Sequence, residues 1–89
     1  MYYVYIVRCG DDTLYTGITT DTKRRVQEHN GELPGGAKYT GARGPVVMVY
    51  HSDFKDRSSA SKEEWRIKAM KKSQKELLIH DYYEKNRGK

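Results

Sequence analysis

The first nineteen residues constrain the fold most, because two strand-like segments lie on either side of a short turn. Residues 2 to 8 are rich in β-branched and aromatic side chains, and a similar pattern runs from Thr13 to Thr19. The turn between them, residues 9 to 12, has the small and acidic residues that favour chain reversal. We therefore expect an N-terminal β-hairpin, and the rest of the chain must pack against it.

A short basic helix is expected after the hairpin. It would run from Lys23 to His29, with a cap among the polar residues at positions 19 to 21 and a stop at Asn30-Gly31. Its single aliphatic residue is Val26, so this helix cannot dock through a broad apolar stripe.

The C-terminal half has one more strand pattern and two more helix patterns. Pro45 to Tyr50 is a continuous apolar run of strand length, which predicts a strand covered on both faces. Ser58 or Ser59 would open a helix that reaches Met70, and a final helix would contain residues 77 to 83. The order β β α β α α predicts an α+β fold, with a small three-stranded, mainly antiparallel sheet flanked by helices.

The length of 89 residues predicts one compact domain. We place it at residues 1 to 83, followed by a polar tail from Glu84 to Lys89. No stretch approaches the roughly 20 apolar residues that a membrane span needs, and no secretory leader is expected before the first strand. These features predict a cytoplasmic protein without a membrane partner.

Cysteine and histidine content argues against two classes of site. Cys9 is the only cysteine, so neither an internal disulfide nor a paired-cysteine zinc site is expected, and the compartment should be reducing. His29, His51 and His80 contain no pair at helical i, i+4 spacing, which leaves zinc without support.

The charge balance indicates the class of partner. Seventeen Lys and Arg against twelve Asp and Glu give a formal net charge of +5, which suits a polyanion such as nucleic acid. Residues 31 to 44 hold five of the eight glycines and predict a long basic loop. This loop and the first helix supply the residues that we expect to bind nucleic acid: Lys23, Arg24, Lys38, Tyr39 and Arg43.

Five side chains in these elements suit phosphodiester chemistry: Tyr5, Tyr15, Arg25, His29 and Glu64. A planar, permanently charged guanidinium can hold two phosphoryl oxygens as negative charge builds up on them. A carboxylate can anchor Mg²⁺, and either tyrosine can accept a proton from water if a nearby cation stabilises its phenolate. His29 lies one helical turn after Arg25, where it can orient a tyrosine or assist proton transfer.

In these segments the sequence resembles the GIY-YIG nuclease superfamily, and within it the small single-domain prokaryotic proteins. The segments VYIVRC, LYTGITTDTKRRVQEHN, AKYTGARGPVVMVY and ASKEEWRIKAMKKSQKELLI carry the resemblance in the right order over nearly the whole chain. The resemblance implies hydrolysis of DNA phosphodiester bonds with one Mg²⁺ or Mn²⁺. It also implies that Tyr5 and Tyr15 are the two motif tyrosines, Arg25 the motif arginine, His29 a position held by His or Tyr, and Glu64 the metal-binding carboxylate.

The sequence departs from the family pattern at three places. The first motif reads Val4-Tyr5-Ile6 and lacks its glycine, and Ile18 stands where some repair members have lysine. Some members have an asparagine about twelve residues after the glutamate, where this chain has Glu76. That contact is therefore left without a counterpart.

Each site residue also has a structural interpretation. The tyrosines can be half-buried strand residues, Arg24 fits a solvated basic face, and His29 can be a C-terminal helix cation. Glu63 and Glu64 are adjacent, and helical periodicity leaves the choice between them open, whereas the resemblance selects Glu64. Trp65 is assigned to packing rather than to base stacking.

The resulting hypothesis is a metal-dependent endonuclease or nickase that hydrolyses DNA in repair or recombination. The alternative is a nucleic-acid-binding module of the same fold in which catalysis is weak or absent. Branched or single-stranded DNA is the expected substrate. Specificity would come from the basic loop, a protein partner or oligomerisation, because 89 residues leave no room for a second domain.

A site shared by both tyrosines imposes a rule on the hairpin. Side chains alternate across a strand, so Tyr5 and Tyr15 must lie on the same face of the sheet. Residue numbers of directly paired partners must then add to an even number, which requires an odd-length connection or a bulge.

Overall fold

The computed structural model describes residues 1 to 35 and 44 to 87, and in these it contains three strands and three helices. They are β1 (Tyr2–Arg8), β2 (Leu14–Thr19), α1 (Thr22–His29), β3 (Val47–Phe54), α2 (Arg57–Lys68) and α3 (Lys72–Asn86). The α+β class and the order β β α β α α are confirmed. Lys38, Tyr39 and Arg43, expected in the basic loop, lie outside the described residues.

The three strands form one antiparallel sheet in the order β2-β1-β3. The strand covered on both faces is β1, where the four residues from Val4 to Val7 are fully buried. The prediction that residues 45 to 50 form such a strand is wrong, because β3 is an edge strand and Val47 is 63% exposed. A continuous apolar run does not distinguish a central strand from an edge strand whose outer face meets solvent.

The hairpin register follows the even-sum rule. Tyr5 lies opposite Gly17, and Val7 lies opposite Tyr15. Because alternate residues of β1 share a face, Tyr5 and Tyr15 lie on the same face of the sheet. Arg8 pairs with Leu14, so the connection consists of residues 9 to 13, which is an odd number. This prediction is confirmed.

The two faces of the sheet have different partners. Val4 and Ile6 pack with Ala60 and Ile67 of α2 and with Ile79 of α3, and these residues form the main core. The opposite face has a smaller cluster of Tyr5, Val7, Cys9 and Val46, with Tyr15 and Met48 packed against it. Both motif tyrosines therefore lie on the face of the sheet that carries this smaller cluster, opposite the main core.

Helix α1 begins and ends close to the predicted limits. The Asp21 side chain caps it by accepting a hydrogen bond from the backbone N–H of Arg24 at 3.1 Å, and Asn30 is the C-terminal cap. Gly31 follows with φ of +78°, a left-handed conformation that glycine adopts without strain.

The other two helices differ from the predicted limits. Helix α2 begins at Arg57 because Asp56, rather than a serine, is its cap and accepts from the backbone N–H of Ser59 at 2.8 Å. Helix α3 runs from Lys72 to Asn86, so the first three residues of the expected tail are helical. Polar residues surround its narrow apolar stripe, and the sequence pattern therefore signalled only the middle of the helix.

Trp65 is 75% exposed, so its assignment to packing is wrong. It comes two residues before buried Ile67, which places it about 200° away around α2 and on the outward side. No helix in the described part of the chain is long and apolar enough to cross a membrane.

Candidate active site

The hydroxyl of Tyr5 is the centre of a buried hydrogen-bond network. Arg25 donates from Nε to the Tyr5 oxygen at 3.0 Å, and Nε2 of His29 lies 2.8 Å from the same oxygen. Arg25 can only donate, so the Tyr5 oxygen accepts from it. The Tyr5 hydroxyl and Nε2 of His29 form the second hydrogen bond, whose direction depends on the tautomer of His29.

Local sequence explains why these three side chains meet. Tyr5 points from the central strand toward α1, and Arg25 and His29 are four residues apart on that helix, so they lie on one side of it. Tyr15 reaches the same place from β2, where its ring meets the His29 ring edge-on with centroids 5.3 Å apart. The structure therefore brings together four of the five predicted catalytic residues.

Gly17 makes room for the Tyr5 ring. A Cβ atom at Gly17 would lie 2.6 Å from the Tyr5 hydroxyl oxygen and 2.9 Å from Cζ, which is closer than atoms can pack. Tyr5 has no exposed surface and cannot swing away. This role was missed at the sequence level, although a glycine inside a strand is a signal of close approach.

Gly17→Ala is expected to destabilise the protein by about 1 to 3 kcal/mol, the usual range for overpacking a buried site. The measurement is urea unfolding of the wild type, Gly17→Ala, Tyr5→Phe and the double variant. Removing the Tyr5 oxygen deletes the shortest contact, so Gly17→Ala should be less damaging in the Tyr5→Phe background. Equal losses in both backgrounds would show that the Tyr5 hydroxyl does not limit this position.

Arg25 is held at several atoms. Its Nη1 donates to Oε1 of Glu28 and to the carbonyl of Gly35, both at 2.8 Å, while Nε is used by Tyr5. Among the described residues, no hydrogen bond is formed by Nη2. The sequence predicts that the guanidinium binds two phosphoryl oxygens. In the described part of the chain only Nη2 is available for that, because Nε and Nη1 donate to Tyr5, Glu28 and Gly35.

Glu28 was not identified from the sequence. Its carboxylate accepts from Arg25 and also from Nε of Arg24 at 3.2 Å, and the Arg25 hydrogen bond holds the pKa of Glu28 below its usual range. The spacing of three residues between Arg25 and Glu28 was the available signal. Glu28 orients Arg25, and it gives Arg24 an ion pair on the outside of the helix.

Burial controls the protonation of the cluster. Burial raises the pKa of the Tyr5 hydroxyl, the hydrogen bond and charge of Arg25 lower it, and the charges of Tyr15 and Glu64 add a smaller rise. Burial, followed by the charge of Arg25, lowers the pKa of His29. His29 is 2% exposed, and its lowered pKa disfavours the charged ring, which argues against its interpretation as a C-terminal helix cation.

The lowered pKa of His29 predicts a pH dependence of stability. The unfolded chain takes up a proton on His29 near pH 6.5, whereas the folded protein takes it up only at lower pH. Between these values the unfolded state binds more protons, so stability should fall as the pH falls below about 6.5. Urea unfolding at pH 8 and pH 5.5 checks this, with His29→Gln as the matched control. An equal loss in both proteins would contradict it.

Glu63 and Glu64 have different surroundings. Glu63 is paired with the guanidinium of Arg66 at 2.6 and 2.7 Å, and its charge acts on Tyr50 in the main core. Glu64 pairs with Lys68 at 3.2 Å, and its charge acts on Tyr5. This charge effect on the Tyr5 pKa is smaller than those of burial and Arg25, and among the described residues no hydrogen bond or ion pair joins Glu64 to Tyr5, Tyr15 or Arg25.

A metal ion with few protein ligands fits this site. No group of three or more His, Cys, Asp or Glu side chains in residues 1 to 35 and 44 to 87 could enclose a metal ion. Mg²⁺ does not need such a cage, because it commonly binds one or two carboxylates together with waters and substrate phosphates. Glu64 offers one carboxylate that is 24% exposed. A single carboxylate of this kind is a donor that Mg²⁺ or Mn²⁺ would accept.

Three further residues that the sequence singled out lie outside the network around Tyr5. Lys23 and Arg24 are exposed on α1. Glu76, at the position of the family asparagine, makes two hydrogen bonds of 2.6 and 2.8 Å with the guanidinium of Arg8, which ties α3 to β1. It is therefore occupied by a structural ion pair.

The sequence of this chain is similar to that of one known protein family. Residues 1–77 match the family model described as the GIY-YIG catalytic domain. The chain is 50% identical over 78 residues to the UPF0213 protein DP2720 of Desulfotalea psychrophila, which covers 88% of this chain and 70% of that protein. It is 47% identical over 79 residues to the UPF0213 protein VNG_2274C of Halobacterium salinarum, covering 89% and 100%.

Solved structures agree with these sequence matches. The solution NMR structure of the UPF0213 protein BH0048 from Bacillus halodurans has a TM-score of 0.57 at 40% identity, over 90% of this chain and 84% of that one. That of EF2693 from E. faecalis has a TM-score of 0.60 at 37% identity, over 92% and 85%. The residues matched by the family model include the three strands, α1, α2 and the cluster of Tyr5, Tyr15, Arg25 and His29. The chain therefore belongs to the GIY-YIG family, among its small UPF0213 proteins.

Proposed function

We propose that the protein is a metal-dependent endonuclease or nickase that hydrolyses phosphodiester bonds in DNA. The observation that carries the proposal is the network in which Arg25 and His29 hold the hydroxyl of Tyr5 beside Tyr15, with the charge of Glu64 acting on the same group. A basic chain with a net charge of +5 supports a nucleic-acid substrate.

The different burial of Tyr5 and Tyr15 suggests a different role for each. Tyr5 has no exposed surface, and we assign it a positioning role in which it fixes Arg25 and His29. Tyr15 is only partly buried and can contact a substrate or an attacking water. We therefore assign the role of general base to Tyr15, whose phenolate would need a cation beside it.

The charged residues have separate tasks. Arg25 binds a phosphoryl oxygen through its remaining nitrogen and stabilises the charge that develops in the transition state. Glu64 would hold Mg²⁺ or Mn²⁺ after displacement of Lys68. When bound, such an ion polarises the phosphate and stabilises charge on its oxygens.

The test is cleavage of labelled single-stranded, flap and supercoiled DNA by the purified wild type, with Mg²⁺, with Mn²⁺ or with EDTA. We expect cleavage only with a divalent metal, and faster cleavage of branched or single-stranded DNA. Binding that falls with salt but without cleavage under any metal condition would overturn the nuclease assignment and favour the binding-module alternative.

A further inference from the structure

Next to Arg25 the surface forms a groove of about 270 Å³. It lies between the end of β2, the first turns of α1 and the start of α2, and its polar and charged lining includes Thr20, Asp21, Arg24, Arg25, Glu28 and Arg57. The groove therefore shares Arg25 with the candidate active site, and Arg57 on its wall belongs to the helix that carries Glu64.

The carboxylates of the groove are already engaged. Asp21 caps α1 through the backbone N–H of Arg24, and Glu28 accepts hydrogen bonds from both Arg24 and Arg25. Arg57 is exposed and forms no hydrogen bond or ion pair with any described residue. It is thus a groove cation that forms no ion pair with a carboxylate in the described part of the chain.

Spacing on α2 relates Arg57 to the catalytic centre. Arg57 and Glu64 are seven residues apart, which is about two turns and about 10 Å along the helix, so both lie near one side of it. Since a stacked strand advances about 3.4 Å per nucleotide along its axis, this distance corresponds to roughly three nucleotides. A strand with its cleaved bond near Glu64 would bring a flanking phosphate into the groove.

We propose that Arg57 binds a backbone phosphate of the nucleic-acid strand, outside the bond that is cleaved. This proposal rests on the proposed function for its substrate class. Arg57 contributes to affinity through its guanidinium and does not take part in the chemical step. The groove fixes the path of the strand beside Arg25.

The test measures binding of a fluorescent oligonucleotide by anisotropy at several salt concentrations, for the wild type, Arg57→Ala and Arg57→Glu. Arg57→Ala should raise the Kd roughly three- to tenfold and reduce the slope of log K against log salt by about one. Arg57→Glu should raise the Kd further. It should also fold, because a carboxylate in the first turn of a helix is favourable.

The matched control is Lys85→Ala, which removes the same charge from an exposed position in the last turn of α3. Helix α3 packs against β3, at the sheet edge opposite β2, so the Kd should change less than twofold. Equal effects of Arg57→Ala and Lys85→Ala would overturn the proposal, because they would reflect net charge alone. A slower rate at saturating DNA with unchanged Kd would also overturn it.

The result is separable from the fate of the proposed function. If the wild type binds DNA without cleaving it, the nuclease assignment fails while the binding data still decide the role of Arg57. If the wild type cleaves DNA and Arg57→Ala binds it like the wild type, the proposal for Arg57 is wrong and the nuclease assignment stands.

Discussion

Arg25→Ala is expected to lower the single-turnover rate of DNA cleavage at least about 100-fold. Removing a group that stabilises transition-state charge commonly has an effect of this size. Here the same substitution also removes the hydrogen bond that fixes the Tyr5 hydroxyl and the ion pair with Glu28. Binding should change little by comparison, since many other cations remain on the surface.

Arg25→Lys should lower the single-turnover rate of cleavage nearly as much as Arg25→Ala does. A lysine ammonium is a point charge and cannot meet Tyr5, Glu28, the Gly35 carbonyl and a phosphate at the fixed angles of a guanidinium. Arg24→Ala is the matched control, because Arg24 is the adjacent residue, shares Glu28 and is 68% exposed. It should weaken binding rather than the chemical step. An Arg25→Lys protein with wild-type cleavage would contradict the geometric role of Arg25.

The hairpin shows what a sequence can predict about this site. The hypothesis of a shared site predicted an even-sum register for Tyr5 and Tyr15, because strand alternation leaves only two choices of face. It could not predict that the Tyr5 ring lies over Gly17, since that depends on the side-chain direction across two strands. Periodic rules therefore give the face, while the three-dimensional packing gives the close contact.

The surroundings of Arg25 show a second limit. Its presence in the site followed from the resemblance, but its engagement with Glu28 and Gly35 depends on where the chain goes after α1. The choice between Glu63 and Glu64 is similar, because their Cα atoms are adjacent and only the packing of α2 separates their environments. Helical periodicity left this choice open for a physical reason, since both residues border the buried stripe at Ala60 and Ile67.

Burial also changed the interpretation of His29. As the last residue of a short basic helix it suits a cation that complements the helix dipole. In the structure it is buried beside Arg25, and both factors favour the neutral ring. A single sequence does not show which residues will exclude water from a histidine, and the hydrogen bond to Tyr5 becomes evident only in the folded protein.

Glu64→Gln is expected to abolish metal-dependent cleavage, again by at least about 100-fold, while the protein stays folded and keeps most of its DNA affinity. Glutamine has nearly the same shape and loses the charge that a divalent cation requires. Glu64 is only partly exposed, and its partner Lys68 is 54% exposed and can turn to solvent, so the fold should tolerate the change. Far-UV circular dichroism and urea unfolding check this point.

Glu63→Gln provides the matched control for Glu64→Gln. The two residues are adjacent on α2, but Glu63 is paired with Arg66, and its charge acts on the main core rather than on Tyr5. Glu63→Gln should therefore keep wild-type cleavage within about threefold, with a modest loss of stability from the broken ion pair. Rates are measured at single turnover across a series of Mg²⁺ and Mn²⁺ concentrations. If Glu64→Gln and the wild type cleave equally at every concentration, or if Glu63→Gln is the inactive variant, Glu64 is not the metal-binding carboxylate.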